Sequence, residues 1–254
     1  MLDLINIHKT FNKGTINQRI ALNGVDLHLD DGDFVTVIGG NGAGKSTMLN
    51  AVAGVWPVDE GRIILDGEDI TALPDYKRAA NIGRVFQDPM LGTAPNMQIE
   101  ENLALAMRRG RRRGLRWGVT KAEREEYRER LHGLGLGLED RMTAKVGLLS
   151  GGQRQAVALL MATMTPLNFL ILDEHTAALD PKTAETIMVL TGKVVKEKKL
   201  TALMVTHNLR YAVEYGDRLL MLHHGQIVLD KAGEEKAKVT TEGLLEVFNR
   251  YSIL

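Results

Sequence analysis

Hydrophobic residues follow two different patterns along this chain, and each predicts its own kind of strand. Up to about Leu29 they recur mostly at alternate positions, with a polar break at residues 12–14, which is typical of antiparallel strands that bury one face. Residues 169–172 and 202–205 are continuously apolar, and residues 34–38 are apolar except for Thr36, which is typical of strands buried on both faces. We therefore predict an N-terminal antiparallel β layer and a second, more deeply buried sheet.

Helical periodicity appears between the buried strands. Residues 45–53, 151–164 and 181–196 are predicted helices, and their alternation with strands indicates parallel βαβ units. Residues 218–222 and 227–229 are predicted to form a hairpin. A closing helix is predicted from an apolar stripe at Leu244, Val247, Phe248 and Tyr251. The second sheet should therefore be mostly parallel.

The composition changes in the middle of the chain. Between about residues 88 and 148 two helical patterns, 100–109 and 120–132, occur without a convincing strand. We therefore expect one domain, residues 1–254, in which residues 1–87 and 149–254 form the core and residues 88–148 form an inserted helical subdomain. The predicted fold class is α/β, with a mostly parallel sheet, an N-terminal antiparallel β layer and this insertion.

The composition excludes several classes of protein and of functional site. The 254 residues include 32 basic and 32 acidic side chains, so the net charge gives no reason to expect a nucleic-acid partner. The absence of cysteine excludes disulfides, thiolate metal sites and cysteine nucleophiles. Neither a secretory signal nor an apolar run near the ~18 residues of a spanning helix is found. We expect a chain that works in the cytosol and reaches a membrane only by docking.

A glycine-rich loop follows the buried strand at residues 34–38 and precedes a predicted helix. It matches the pattern Gly-x-x-x-x-Gly-Lys-Ser/Thr with Gly39, Gly40, Asn41, Gly42, Ala43, Gly44, Lys45, Ser46 and Thr47. Residues without a Cβ let backbone N–H groups wrap a phosphate at a helix N-terminus, while Lys45 binds the β- and γ-phosphates and Ser46 ligates Mg²⁺. A flexible loop that happens to contain lysine is the alternative, which the context disfavours. The loop predicts a P-loop NTPase core that binds ATP with Mg²⁺.

Two carboxylates follow the apolar strand that ends at Leu172. In open α/β sheets ligands bind beyond the carboxyl ends of strands, so Asp173 and Glu174 should reach the edge where the glycine loop opens. Asp173 is predicted to hold Mg²⁺ through water, and Glu174 to act as the general base on the attacking water. By itself such a pair is commonly a turn; beside a phosphate loop we interpret it as catalytic.

A second helix N-terminus that could bind an anion precedes the strand at residues 169–172. A serine and two glycines begin this helix, which is predicted at residues 151–164. The sequence Leu-Ser-Gly-Gly-Gln at 149–153, just before 170–174, resembles the signature motif of ATP-binding-cassette (ABC) ATPases. The resemblance covers essentially the whole chain, as one nucleotide-binding domain. It implies a transport-coupled, Mg²⁺-dependent ATPase in which two domains pack head to tail. The signature residues of one chain would then meet the γ-phosphate bound to the other: Ser150, Gly151, Gly152 and Gln153.

The same resemblance assigns four further residues. Gln87 resembles the family's glutamine, which contacts Mg²⁺ and the lytic water, and His207 resembles the switch histidine on the γ-phosphate. Asp180 lies in a segment that resembles the loop bridging the two chains, and Phe11 is placed where the family stacks an aromatic ring on adenine. Each residue alone also has a structural explanation, which for Phe11 is packing of an edge strand. Their order along the chain is what favours these roles.

The chain departs from the family pattern at one position. The family usually has proline after the catalytic glutamate, whereas this chain has His175. Proline fixes φ near −65°, and histidine does not. Because Glu174 is intact, we do not expect His175 to replace it as the base. We expect it to tune the rigidity of the loop or to add a titratable group near the phosphates.

A run of basic residues lies in the predicted insertion. Six arginines fall within nine residues, followed by Trp117: Arg108, Arg109, Arg111, Arg112, Arg113 and Arg116. Such a cluster could meet anionic lipid headgroups or the permease, form a solvated loop, or grip nucleic acid with the tryptophan stacked on a base. The balanced total charge disfavours nucleic acid.

The resemblance favours the ATPase subunit of a bacterial importer, acting as a homodimer at the cytoplasmic face of the cell membrane. Its partners would be transmembrane permease subunits and an extracytoplasmic solute-binding protein, with amino acids or related small solutes as cargo. The alternatives are a non-transport ABC ATPase acting on ribosomes, DNA or cofactor assembly, and a transporter of lipids or lipoproteins. The chain has neither the paired nucleotide domains of translation factors nor the long coiled coils of repair proteins, which favours transport.

Overall fold

The computed structural model describes residues 1–111 and 118–252. The strands are β1 (Leu2–Phe11), β2 (Arg19–Leu29), β3 (Phe34–Gly39), β4 (Glu60–Leu65), β5 (Glu68–Asp69), β6 (Ile82–Val85), β7 (Phe169–Asp173), β8 (Ala202–Val205), β9 (Arg218–His223) and β10 (Gln226–Ala232). The helices are α1 (Lys45–Ala53), α2 (Asp75–Arg78), α3 (Ile99–Met107), α4 (Lys121–His132), α5 (Gly151–Thr163), α6 (Pro181–Lys198), α7 (Leu209–Glu214), α8 (Gly233–Ala237) and α9 (Thr241–Ser252), with a 3₁₀ turn at Val146–Leu148.

The first sheet is antiparallel and has the strand order β2-β1-β4-β5. In it Leu2 of β1 lies opposite Leu29 of β2 on one side and Leu65 of β4 on the other. All three side chains are buried, so one face of this sheet belongs to the core. The predicted N-terminal antiparallel layer is confirmed, and it also takes in β4 and β5.

The second sheet has the order β10-β9-β3-β8-β7-β6, in which every neighbouring pair is parallel except the edge pair β10-β9. Its central strands are buried on both faces because helices cover both. Met48 of α1 packs in the cluster shared with the first sheet, whereas Leu159 of α5 and Ile187 of α6 pack in the cluster on the opposite face. The carboxyl ends of β3, β7 and β8 therefore meet at one edge of a mostly parallel sheet, as predicted.

The two helices between residues 88 and 148 pack against α5 through a cluster of their own, which includes Leu103, Tyr127 and Val157. Arg124 of α4 donates from Nε and Nη2 to the Glu100 carboxylate of α3, at 2.7 and 2.8 Å. None of the described residues of this segment lies in a strand of either sheet. Treating the segment as a subdomain stays a prediction.

The shortest helices and the shortest strand are not predicted by any pattern in the sequence. The helices α2, α7 and α8 and the strand β5 contain four, six, five and two residues, which is too few to show a period. The predicted helix 100–109 was placed too late: α3 begins at Ile99 and ends at Met107, and Arg108 has φ −97° and ψ 6°. No helix in residues 1–111 and 118–252 combines the length and the apolarity that crossing a membrane requires.

A buried arginine closes the C-terminal end of the helix that follows the glycine loop. Arg78 Nη1 donates to Ala51 O and Val52 O of α1 at 2.8 and 2.9 Å, Nε donates to Leu73 O and Nη2 donates to Thr71 O. Helix C-terminal carbonyls lack intrahelical partners and carry partial negative charge, so a guanidinium satisfies them well. Burial lowers the pKa of Arg78, and the charge of Asp69 opposes this.

We expect Arg78→Met to lower the free energy of unfolding by roughly 3 kcal/mol, because it leaves buried carbonyls without a charged donor. Chemical denaturation monitored by circular dichroism measures this. Lys77→Met is the matched control, since Lys77 is an exposed cation on the same short helix. Equal stabilities of the two variants would show that the Arg78 contacts contribute nothing.

Candidate nucleotide-binding and catalytic site

The glycine loop connects β3 to α1, and its backbone approaches neighbouring chain too closely for side chains. Gly39 has φ 153°, and a Cβ built on it would lie 2.4 Å from Leu222 O. Gly44 has φ 107°, and its Cβ would lie 2.4 Å from Ala21 O. Only glycine tolerates this conformation together with these contacts. The fold therefore requires the glycines that the motif contains.

Lys45 opens α1 and is buried beneath the loop. Its ammonium donates to Gly39 O at 2.8 Å and to Gly40 O at 3.0 Å. Burial lowers the pKa of Lys45, while the negative charges of Glu174 and Asp173 act in the opposite direction. The Lys45 ammonium is thus held at the N-terminus of α1, close enough to Glu174 and Asp173 to be influenced by their negative charges.

Glu174 follows the last residue of β7, and His207 lies two residues beyond β8. The Glu174 backbone N–H donates to Val205 O at 3.0 Å, which holds the two strand ends together. The Glu174 side chain, 13% exposed, lies with Oε1 2.6 Å from His207 Nε2. Glu174 has φ 46°, a left-handed conformation that is uncommon outside glycine. The parallel neighbouring strands β7 and β8 therefore place the Glu174 carboxylate and the His207 imidazole side by side.

These groups share one cavity of about 290 Å³. Its lining combines predicted residues with others that the sequence did not indicate: Phe11, Arg19, Ala21, Asn41, Gly42, Ala43, Gly44, Lys45, Ser46, Thr47, Trp56, Glu174 and His207. A phosphate-sized anion at the helix N-terminus would thus lie in the same space as the acid and the histidine. The edge of the cavity carries two aromatic rings.

Three residues of this lining were missed. Arg19 donates from Nη2 to Gly42 O at 2.9 Å, and Trp56 meets Phe11 edge-on with ring centroids 5.0 Å apart. Ala21 completes the group. Trp56 is one of two tryptophans in the chain and lies shortly after α1. Its rarity and its place after the helix of the glycine loop were signals from which it could have been predicted. Nothing in the local sequence distinguishes Arg19 or Ala21.

Other predicted residues lie outside this cavity. Gln87 follows β6 and is exposed. Asp173 precedes Glu174, but its Oδ2 accepts a hydrogen bond from Arg84 Nη2 at 2.9 Å. Gly39 and Gly40 do not line the cavity, although their carbonyls hold the lysine beneath it.

The signature residues and Asp180 also lie apart from the cavity, and all of them except Gly151 have a structural role in their own chain. Ser150 caps α5 by accepting from Gln153 N, while Gln153 Oε1 accepts from Ser150 N. Gly152 is buried, and a Cβ on it would lie 2.1 Å from Thr183 Cγ2 of α6. Asp180 caps α6. Gly151 is exposed, next to this tight packing of the two helices.

The available oxygen donors fit Mg²⁺ only together with phosphate. Ser46 lies in the cavity and is exposed, and Asp173 ends the neighbouring strand. In the part of the chain that the structure describes, no group of three or more His, Cys, Asp or Glu side chains could hold a metal ion. Mg²⁺ usually binds one or two protein oxygens, waters and substrate phosphates, so this sparse set suits a magnesium nucleotide complex.

Fold and site together define a P-loop NTPase. Residues 22–177 match the family model described as ABC transporter, and the chain belongs to this family of ATP-hydrolysing cassettes. It is 44% identical to the tyrosine transport ATP-binding protein of Clostridioides difficile, across 98% of both chains. It is 35% identical to the spermidine/putrescine import protein PotA of Haemophilus influenzae, across 92% of this chain and 59% of that protein. The ATP-binding cassette MJ0796, solved as a dimer bound to ADP and Pi, superimposes with a TM-score of 0.77 at 32% identity, covering 91% and 98% of the chains.

His175 is buried, outside the nucleotide cavity. Its Nε2 lies 3.0 Å from Thr191 Oγ1 of α6, and that hydroxyl donates in turn to Ile187 O at 2.8 Å. The ring therefore donates from Nε2. Burial lowers the pKa of His175 to about 4, so the ring is neutral at pH 7. These contacts favour the rigidity hypothesis over a titratable group near the phosphates, because the hydrogen bond anchors the loop after Glu174 to α6.

Two arginines of the basic run form hydrogen bonds within the chain. Arg108 Nη2 donates to Glu123 Oε1 at 3.0 Å, and Arg109 Nη2 donates to Ala162 O and Thr165 Oγ1 at 2.9 and 2.6 Å. The rest of the predicted cluster, apart from the exposed Arg111, lies outside the described residues: Arg112, Arg113, Arg116 and Trp117. Two of the six guanidiniums thus tie the segment to its own core.

The buried His175 predicts a specific loss of stability in acid. The unfolded chain takes up the imidazole proton near pH 6.5 and the folded chain only near pH 4, so stability falls as the pH drops through this window. The difference amounts to roughly 3 kcal/mol. His175→Gln, which keeps a donor near the Nε2 position but cannot titrate, should lose less stability between pH 7 and pH 4.5. Urea unfolding at several pH values measures this, and parallel pH profiles would contradict it.

Proposed function

We propose that this chain is the ATP-hydrolysing subunit of an importer for amino acids or related small solutes. The observation that carries the proposal is one cavity that unites the loop lysine, Lys45, with the Glu174–His207 pair. The 44% identity to a tyrosine transport protein, over nearly the full length of both, supports the transport assignment.

In the proposed mechanism, the loop N–H groups and Lys45 bind the β- and γ-phosphates of ATP. Glu174 accepts a proton from the attacking water, and His207 holds the carboxylate and meets the γ-phosphate. Ser46, Asp173 and Gln87 would hold Mg²⁺, which when bound neutralises charge on the phosphate oxygens. Phe11, braced edge-on by Trp56, stacks on the adenine ring.

The signature segment would act on a second copy of the chain. Ser150, Gly151, Gly152 and Gln153 lie away from the lysine cavity of their own chain, as does Asp180. Head-to-tail pairing would bring them to the γ-phosphate held by the partner, with Asp180 at the bridge between the two copies. The similar cassette MJ0796 was solved as a dimer with ADP and Pi, which supports pairing. The complete site then needs two chains.

We further propose transmembrane permease subunits, and an extracytoplasmic solute-binding protein, as partners at the cytoplasmic face of the membrane. Two large apolar side chains on either side of β6 in the sequence are exposed: Tyr76 of α2 at 72% and Leu91, in the loop after β6, at 71%. Such side chains would be covered if this surface docks on another protein. Of the two relatives, the one named for tyrosine transport is the more similar, which supports an amino acid as cargo.

Two substitutions separate nucleotide binding from hydrolysis. Lys45→Ala should weaken binding of ATP at least tenfold, because a buried cation is lost from the phosphate site. Glu174→Gln should keep ATP affinity, lose more than 100-fold in turnover and accumulate a closed dimer, because only the proton acceptor is changed. Equilibrium binding, phosphate release and size-exclusion chromatography measure these. Glu197→Gln on the exposed face of α6 is the control, and normal turnover of Glu174→Gln would remove the assigned role.

The cargo class is tested in liposomes that contain the chain with its cognate permease and solute-binding protein. Tyrosine or a related amino acid should stimulate ATP hydrolysis several-fold, whereas spermidine should not. Stimulation by the polyamine alone would replace the amino-acid assignment. ATP hydrolysis that responds to ribosomes or DNA instead would favour the non-transport alternative.

A further inference from the structure

Arg84 joins three elements of the candidate site through contacts that the mechanism above does not use. From β6, its Nη2 donates to Asp173 Oδ2 at 2.9 Å and its Nη1 donates to Asn50 Oδ1 of α1 at 2.8 Å. The guanidinium also lies over the Phe86 ring, 4.5 Å from the centroid. Three contacts of this kind fix a planar guanidinium in one orientation.

The position of this guanidinium relates it to the proposed metal ligands. Asn50, which accepts from Arg84, donates from Nδ2 to Ser46 O at 2.7 Å. Arg84 is therefore hydrogen-bonded to Asp173 directly and to the Ser46 backbone through one amide. Gln87, the third proposed ligand, follows on the same chain segment three residues later.

Burial strengthens the electrostatic attraction between Arg84 and Asp173. The Arg84 and Asp173 side chains are only 15% and 16% exposed, so water screens their attraction poorly. A carboxylate that already neutralises a cation is a weaker ligand for a second one, and the guanidinium repels a divalent ion nearby. Asp173 Oδ1 accepts no hydrogen bond from the described residues, so the carboxylate keeps one oxygen for another partner.

We propose that Arg84 is a resident cation at Asp173 that competes electrostatically with Mg²⁺. It thereby sets the Mg²⁺ concentration at which the chain binds nucleotide in its metal-bound form. The inference rests on the proposed function, since it assigns Mg²⁺ to Asp173. A purely structural ion pair between β6 and β7 would have a different consequence: its removal would lower stability and leave the response to Mg²⁺ unchanged.

The test is the affinity for a non-hydrolysable ATP analogue, measured by isothermal titration calorimetry over a series of free Mg²⁺ concentrations. Arg84→Met should move the midpoint of the Mg²⁺ response to a concentration about tenfold lower, while affinity in EDTA falls, because the unpaired Asp173 carboxylate then repels the metal-free nucleotide. Arg62→Met, at an exposed arginine of β4, is the matched control and should leave the midpoint unchanged.

Two further variants separate charge from geometry. Arg84→Gln removes the charge but keeps a donor, so it should shift the midpoint in the same direction as Arg84→Met, and it serves if the methionine variant does not fold. Arg84→Lys keeps the charge but loses the planar fork, so it should stay near wild type. Neutral variants that leave the midpoint unchanged, or raise it, would overturn the competition. Wild-type protein that binds no analogue with Mg²⁺ would instead overturn the proposed function itself.

Discussion

The close approach of the glycine loop to its neighbours is the constraint on which the rest of the site depends. Leu222 O of β9 and Ala21 O of β2 occupy the space that side chains at Gly39 and Gly44 would need. The loop is thereby clamped between the two sheets, and Gly225 of the last hairpin adds a hydrogen bond to it. A loop held from both sides can present N–H groups in a fixed array, whereas a flexible glycine loop would lose entropy on binding.

Charge is balanced around this loop by partners from different strands. Lys45 lies in the field of Glu174 and Asp173, Glu174 meets His207, and Asp173 meets Arg84. Except for the exposed His207, these groups are largely withdrawn from water, and an unpaired charge is costly in such surroundings. An incoming magnesium nucleotide would therefore exchange existing pairings for new ones. The free-energy difference between the two sets controls affinity.

Several motif residues serve the fold and the proposed reaction together. Gly152 is required where α5 meets α6, and Ser150 and Asp180 cap the helices that they precede. These tasks explain the residue types without any nucleotide, while the exposure of Ser150 and Asp180 leaves them free to meet a second chain. His175 shows the reverse case, since a residue that departs from the family pattern is explained by its hydrogen bond to Thr191.

The sequence alone determined the buried strands, the long helices, the N-terminal antiparallel layer and the phosphate loop, because these depend on local periodicity and on backbone conformations that only particular residues adopt. It also predicted that Asp173 and Glu174 lie at the sheet edge where the phosphate loop opens, since ligands in open α/β sheets bind beyond the carboxyl ends of the strands. Only the tertiary structure decided the pairing of Arg84 with Asp173, the place of Trp56 beside Phe11 and the burial of His175. The first two contacts join residues that are distant in the sequence, and the third depends on whether a side chain points into the core. All three are therefore decided by tertiary packing, which no local sequence pattern encodes.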